Sequence, residues 1–359
     1  MNKFDWLVIK RLLFLSIPIT LMLLFIFVLI DFSDNSDEFF EQGATLLEIF
    51  TGYYLNYIPD MARQILPVAV FASCLFITGQ FTERLEITSL KAAGVSLYRI
   101  SLPYILTGLM LASATSFFDA YLIPNANERK FAFEERYLRG KIERVENQDI
   151  FRQPLPDTQL RLNYFDRAQN VGYQVRMFQY EGNEVIKTTS ASKMSWDEEN
   201  EIWVLQGVRE QIYNDYGYSE FQYNNKDTTL NVYPRDLART SSDIALLTYE
   251  EAQDYIESLE RSGAGNVADP KVKYYSRLSY PLSILTVTII GFAFASVRRR
   301  GGRGVYIAGG LMFSFVYLTF MEIIKPFGSK GVLDPVLAAT IPHVTFLIVG
   351  IILLISTRK

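Results

Sequence analysis

Hydrophobic positions in this chain gather in six runs that carry no Asp, Glu, Lys or Arg: residues 12–30, 64–82, 100–118, 278–297, 304–321 and 335–357. A helix needs roughly 17–25 residues to cross ~30 Å of hydrocarbon, and each run has that length. Between about Asn125 and Pro270 there is no such run. The pattern predicts three membrane spans, a polar insert, then three more spans. The mean hydropathy of +0.11 is an average over these two kinds of sequence.

Inside the insert the period changes. From about Asp149 to Tyr233, Leu160, Leu162 and Tyr164 alternate with polar residues, as do Tyr173, Val175 and Met177, and later Trp203 and Leu205. Turn formers separate the runs: Gln169-Asn170, Glu181-Gly182-Asn183, Asp197 to Asn200, Tyr216-Gly217 and Asn224-Asn225. Short strands at such spacing predict an all-β domain, a β-sandwich or jelly roll. Two sheets open at one end would have room for a lipid tail; a closed sandwich would serve as scaffold or sensor. Strand pattern alone leaves both open.

Helical segments connect the parts. Residues 31–60 form an outer loop with an expected helix, because Phe39, Leu46, Leu47 and Phe50 recur at helical spacing. Residues 121–144 read as a charged helix carrying the chain into the insert, with Pro124 at the bend. Thr248, followed by Glu251, predicts a capping box opening a helix over 248–261. Gly263, Gly265 and Pro270 mark the return linker. The expected divisions are 1–122, 123–273 and 274–359.

Residues 83–100, ERLEITSLKAAGVSLYRI, lie between the second and third runs. At 3.6 residues per turn Leu85, Leu90 and Ala93 fall near one face, and Glu83, Glu86 and Lys91 lie elsewhere. Gly94 sits where a short helix ends, since glycine takes the left-handed cap without a Cβ penalty. The expectation is a short amphipathic helix at the membrane surface; a solvated connector is the plainer alternative.

Charge sets the orientation. Basic residues cluster before the first run (Lys3, Lys10, Arg11), between the second and third (Arg84, Lys91, Arg99), between the fourth and fifth (Arg298, Arg299, Arg300, Arg303) and after the sixth (Arg358, Lys359). With six spans all these clusters share one side. The positive-inside rule makes that side cytoplasmic, with both termini and 83–100, and puts the insert outside. The opposite side begins with Asp31, Asp34, Asp37, Glu38, Glu41, Glu48 and Asp60. The first run is longer than a signal-peptide core and is followed by DFSDN, which is no cleavage site.

Candidate chemistry is sparse. The single cysteine, Cys74, lies in the second run, so the insert has no disulfide to draw on. The single histidine, His343, reads as an ordinary polar group at the interface, near the outer end of the sixth run, and one His without a Cys cluster argues against a metal site. No GxxxxGK[ST] occurs, so no nucleotide is bound by a P-loop of this chain. Nothing points to nucleic acid. Glu322 and Lys325, at the outer end of the fifth run, are either snorkelling anchors or head-group contacts. A secondary transporter or intramembrane enzyme would carry ionisable residues at mid-span, and the runs have none but His343. A membrane sensor or scaffold with a ligand-binding outer domain would need a cytoplasmic effector, and the longest cytoplasmic segment is one short helix.

Several blocks together resemble the LptF/LptG permeases, the membrane subunits of the ABC-type lipopolysaccharide exporter. They are Glu86-Ile87-Thr88-Ser89-Leu90-Lys91-Ala92-Ala93-Gly94-Val95-Ser96; Trp196 with Trp203-Val204-Leu205-Gln206-Gly207; Tyr275 to Leu282; Arg299-Arg300-Gly301-Gly302; and Pro335 to Pro342. The resemblance implies an inner-membrane protein whose β-jelly roll is periplasmic. It implies a second LptF/LptG-type permease facing this one, an LptB-type ATPase dimer that binds the ATP, and LptC/LptA-type bridge proteins that receive lipopolysaccharide. ATPase coupling would fall to Glu83, Glu86, Lys91, Ala92, Ala93 and Gly94, with Glu86 as the acidic contact. The likeness departs at His343, where the family carries Asn. It departs again at residues 31–37, which are acidic where the family has phosphate-contacting lysines. Lys325, with Glu322 beside it, is the remaining basic candidate for a head group.

Overall fold

The structure, a computed structural model, describes residues 3–138, 150–166, 169–214, 216–239, 241–297 and 303–357. The expected Arg298–Gly302 part of the fourth-to-fifth turn and the end of the 121–144 helix lie outside them. The chain forms two units, Met1–Ile142 with Lys271–Lys359, and Glu143–Pro270.

The first unit is helical. Helix α1 (Lys3–Glu41) continues well beyond the first apolar run, then turns tightly into α2 (Leu46–Glu48), a π-helical stretch Ile49–Tyr54 and α3 (Leu55–Glu83). The expected outer loop is therefore a helical hairpin. Its core is not the predicted stripe: Phe39 is fully buried, but Leu46, Leu47 and Phe50 are exposed. Aromatic packing decides this, because Phe39 sits 5.2 Å from the Tyr53 ring and 5.6 Å from Phe133. Phe133 and Tyr137 lie on α6 (Ile123–Tyr137), so that helix packs within the membrane unit.

Helix α4 (Glu86–Ala92) follows α3 and leads to α5 (Leu97–Tyr121); after the second unit come α11 (Arg303–Ser329) and α12 (Pro335–Ser356). Among the described residues five helices are long and apolar enough to cross a membrane, namely α1, Leu46–Glu83, α5, Ala308–Ser329 and α12. The fourth run is different. Its first residues end α9 (Ala268–Ser279) and its body forms α10 (Leu282–Ala295); the two are bent by 50° and make a sixth span only as a pair. Pro281 explains the break: it has no N–H to donate and its ring clashes with the preceding turn. Helix α10 is buried almost all round, against α3, α5 and α12. Without a hydrophobic force between helices in lipid, small residues must let backbones approach. At Gly291 of α10 an added Cβ would stand 2.9 Å from Cys74 Cβ of α3, closer than carbon atoms pack.

The second unit holds β1 (Ile150–Leu155), β2 (Thr158–Leu162), β3 (Tyr164–Asp166), β4 (Val171–Glu181), β5 (Glu184–Asp197), β6 (Ile202–Asn214) and β7 (Gly217–Thr228). They join in one antiparallel sheet, ordered β1-β2-β4-β5-β6-β7 with β3 on β4. The expected turns fall between strands except Asn224-Asn225, which lies inside β7, Asn225 pairing with Gln206. Hydrogen bonding along a long hairpin there outweighs the turn preference of asparagine. One sheet face buries Leu160, Leu162, Val175, Met194, Trp203 and Leu205 under a segment that carries Leu230 and Val232 and runs into α7 (Pro234–Ala238), which carries Leu237. Trp203 is fully buried and its Nε1 donates to the Val232 carbonyl at 2.7 Å. The capping box forms as predicted: Thr248 Oγ1 accepts from the Glu251 N–H and Glu251 accepts from the Thr248 N–H, opening α8 (Tyr249–Arg261).

Candidate coupling surface

The connector between the two long helices α3 and α5 is built by three local choices. Leu85 takes a left-handed backbone (φ 61°), which a β-carbon disfavours, and turns the chain sharply out of α3. Two turns of α4 follow. Gly94 (φ +84°) then ends them, as its missing Cβ allows, and Ser96 caps α5 by accepting from the Arg99 N–H.

The buried face is not the predicted one. Leu85 and Ala93 are exposed, and Ile87, 2% exposed, is the residue that enters the core. The left-handed residue resets the helical phase at Glu86, so counting 3.6 residues per turn from Glu83 misplaces the stripe. Ile87 joins Val8, Leu12, Phe81, Leu97 and Ile100, with Leu90 packed at the margin. Glu83 ends α3, Glu86 opens α4 and Lys91 lies in its last turn; all three are half-buried. Thr88, Ser89, Ala92, Ala93 and Gly94 face outward. The arrangement is a small, shallow, polar-edged surface held to the bundle by one aliphatic anchor.

Two contacts brace its base. Asp5 of α1 accepts two hydrogen bonds from the Arg99 guanidinium of α5, at 2.8 and 2.7 Å. Thr82, next to the end of α3, donates at 2.7 Å to the Ala295 carbonyl at the end of α10. The connector is thereby tied to both halves of the membrane unit.

At the other end of the helices stands a charged group the sequence reading missed. Arg63 of α3 lies 2.7 Å from Asp60 and 3.7 Å from Asp119 of α5. Arg277 of α9 lies 3.5 Å from the Asp119 carboxylate and donates to its backbone carbonyl at 3.1 Å. Asp119 is 1% exposed. Arg63, Asp119 and Arg277 each sit one residue outside an apolar run, so scanning for charges inside the runs passed over them; the signal was their shared position at the run edges.

Glu322 and Lys325 come together as an exposed i,i+3 ion pair at 2.5 Å, which leaves the head-group candidate already neutralised by its neighbour. His343 is not an outward-facing interfacial group but is buried among the helices. It is 3% exposed, its Nδ1 lies 2.6 Å from the Tyr317 hydroxyl of α11, and Thr286 of α10 reaches its carbonyl. The period of α12 turns it inward, where a hydroxyl partner makes burial tolerable. Among the described residues no group of His, Cys, Asp and Glu is arranged to hold a metal ion.

The order of helices, insert and connector has counterparts among known proteins. The profile of the family described as "Lipopolysaccharide export system permease LptF/LptG" matches residues 6–356. The chain is 20% identical over 308 residues to the lipopolysaccharide export system permease protein LptG of Escherichia coli (strain K12), covering 84% of each. It is 22% identical over 317 residues to LptG of Haemophilus influenzae, covering 84% of this chain and 83% of that protein. The family match spans both membrane halves and the sheet. The chain belongs to the LptF/LptG family of lipopolysaccharide export permeases.

Proposed function

We propose that this chain is a permease subunit of an inner-membrane ABC-type exporter that extracts lipopolysaccharide or a related glycolipid and passes it to a periplasmic bridge of LptC/LptA type. A separate LptB-type ATPase dimer docks on the α4 connector from the cytoplasm, with Glu86 as its acidic contact and Glu83 and Lys91 at the rim. Ala92, Ala93 and Gly94 let the ATPase surface approach closely. A second LptF/LptG-type permease completes the cavity, and no nucleotide or other cofactor is bound by this chain. Lys325 with Glu322 is kept as a weak head-group contact.

The observation that carries this reading is the connector itself. Ile87 seats α4 in the same cluster as α1, α3 and α5, so force applied to the small outer face reaches three spans. An enclosed route matters for a lipid cargo. At ~0.8 kcal/mol per CH₂ exposed to water, several acyl chains would cost tens of kcal/mol to carry through solvent. Exposed apolar helix faces, such as that carrying Phe14, Ile17, Leu21 and Phe25, remove part of that cost.

Purification of the chain from its native membrane tests the reading. Co-purification of an ATPase whose hydrolysis responds to this chain, together with a second permease of the same family, is expected. A chain that purifies without an ATPase, or a connector labelled only from outside the cell, overturns it and favours a membrane sensor or scaffold with an outer β-domain.

A further inference from the structure

The sheet has two chemically different faces. Opposite the apolar face, the register lines up one rung across four strands: Arg161 of β2 faces Arg176 of β4, Arg176 faces Ser190 of β5, and Ser190 faces Arg209 of β6. Two residues along the same strands lie Asn163, Gln174, Ser192 and Gly207. These two rungs line a hollow of about 550 Å³. Among the described residues that line it there are three arginines and no carboxylate; Glu220 pairs with Arg209 at 3.5 Å. Arg161 also lies over the Phe151 ring at 5.3 Å.

The hollow is shaped by its backbone. Gln174 and Gly207, two strands apart on the second rung, both take left-handed conformations (φ 52° and +64°). At Gln174 that conformation is unfavourable for a side-chain-bearing residue, and such strain persists only where surroundings impose it. At Gly207 a β-carbon would stand 2.6 Å from Ser192 Oγ.

The register thus gathers three long cationic side chains along one rung, Arg161 opposite Arg176 and Arg209 one strand beyond the intervening serine. Guanidinium forks match the oxygen pairs of phosphate, and the Ser, Asn and Gln groups suit sugar hydroxyls. The lining has no aromatic ring on which a nucleobase would stack and no large apolar side chain for an acyl tail.

We propose that this hollow binds the phosphate monoester of a phosphorylated sugar, with Arg161, Arg176 and Arg209 holding the phosphate oxygens and the Ser190–Ser192 edge holding the sugar. The site stands on the sheet alone and does not depend on the export reading.

Binding is measured on the full chain in detergent with two probes, glucose 1-phosphate and lipopolysaccharide, the latter before and after removal of its phosphates. The Arg161→Gln, Arg176→Gln, Arg209→Gln triple variant is compared with the wild type. If the phosphate is lipid-borne, phosphorylated lipopolysaccharide binds the wild type roughly tenfold more tightly than the dephosphorylated form, and the variant loses that preference. Loss of glucose 1-phosphate binding alone supports the site with a soluble sugar phosphate as its ligand. Equal binding of both probes by wild type and folded variant overturns the proposal. Should the triple variant not fold, phenylglyoxal labelling of the wild type decides: protection of the three arginines by a probe supports the site, and unchanged labelling overturns it.

Discussion

The Asp5 carboxylate and the Arg99 guanidinium, 94 residues apart in sequence, meet through two parallel hydrogen bonds. The pair clasps the start of α1 to the start of α5, directly beside the connector. Its partners are unequally buried: the Asp5 side chain is 5% exposed and that of Arg99 39%. Water can re-solvate the arginine when the carboxylate is removed, but it reaches the carboxylate poorly when the arginine is removed. Arg99→Ala is therefore expected to lower the thermal midpoint more than Asp5→Asn does. A charge-swapped pair, Asp5→Arg with Arg99→Asp, is not expected to restore it. Equal midpoints for the two single variants, or rescue by the swap, would refute this asymmetry.

Ile87 is the anchor of α4. Truncating a fully buried aliphatic side chain to alanine costs about 2–5 kcal/mol, and removing one methyl group about 0.5–1.5 kcal/mol. Because α4 has only two turns, most of that cost is expected as local loosening. Amide exchange across residues 86–92 should accelerate strongly in Ile87→Ala and slightly in Ile87→Val, with the long helices unchanged. Uniform acceleration over all spans would mean that Ile87 supports the bundle generally and not the connector.

Glu86 opens α4 and is half-buried. If it is the acidic contact for the ATPase, Glu86→Lys replaces attraction with repulsion and should reduce co-purified ATPase more than Glu86→Ala does, each variant remaining folded. Near-normal recovery of ATPase with Glu86→Lys would remove this residue from the interface.

Glu210 lies on the buried side of the sheet, 4% exposed, bonded to Thr189 at 3.1 Å, Lys226 at 2.6 Å and Lys187 at 2.9 Å. Burial alone would push its carboxyl up; the two lysines outweigh burial and hold it below the ordinary glutamate value. A depressed folded-state pKa adds stability above the unfolded value of about 4.3, and that stability fades as pH falls through the lower folded value. The stability gap between wild type and Glu210→Gln should thus be full at pH 7 and shrink below about pH 4. Thermal unfolding followed at both pH values checks the sign: a gap that widens in acid would show that the carboxyl is not held ionised.

Much of this molecule is legible in its residues. Run length and strand period identify the helices, the insert and most turns, because burial in lipid and the pleat of a sheet each impose a strict period. The Thr248 capping box and the Gly94 stop are local rules acting locally. What escapes is an unusual local backbone angle, or whatever depends on a neighbour far along the chain. A left-handed Leu85 shifts the buried face of α4 from Leu85 and Ala93 to Ile87. His343 goes inward because Tyr317 awaits it, and Leu46 and Leu47 stay outside because Phe39, Tyr53 and Phe133 fill the hairpin first. The arginine rung on the sheet requires the register of four strands, which no linear pattern contains.

Asp119 links three helices at the end of the bundle away from α4. With Asp60, Arg63 and Arg277 it forms a set of two acids and two arginines, neutral as a whole and largely withdrawn from water. Breaking a buried pair by removing one partner typically costs about 3–5 kcal/mol, whereas removing both partners costs far less. Asp119→Asn leaves Arg63 and Arg277 with Asp60 alone and a net positive charge; Arg277→Gln leaves the opposite imbalance. The bond from Arg277 to the Asp119 backbone carbonyl survives Asp119→Asn, so the loss there is electrostatic. The double variant is neutral again and is expected to unfold at a higher temperature than Asp119→Asn alone. Because Arg277 sits just before the bend between α9 and α10, this group also fixes how the second half of the bundle meets the first. Strictly additive losses in the single and double variants would show that the four side chains act independently, and that the bend is held by apolar packing alone.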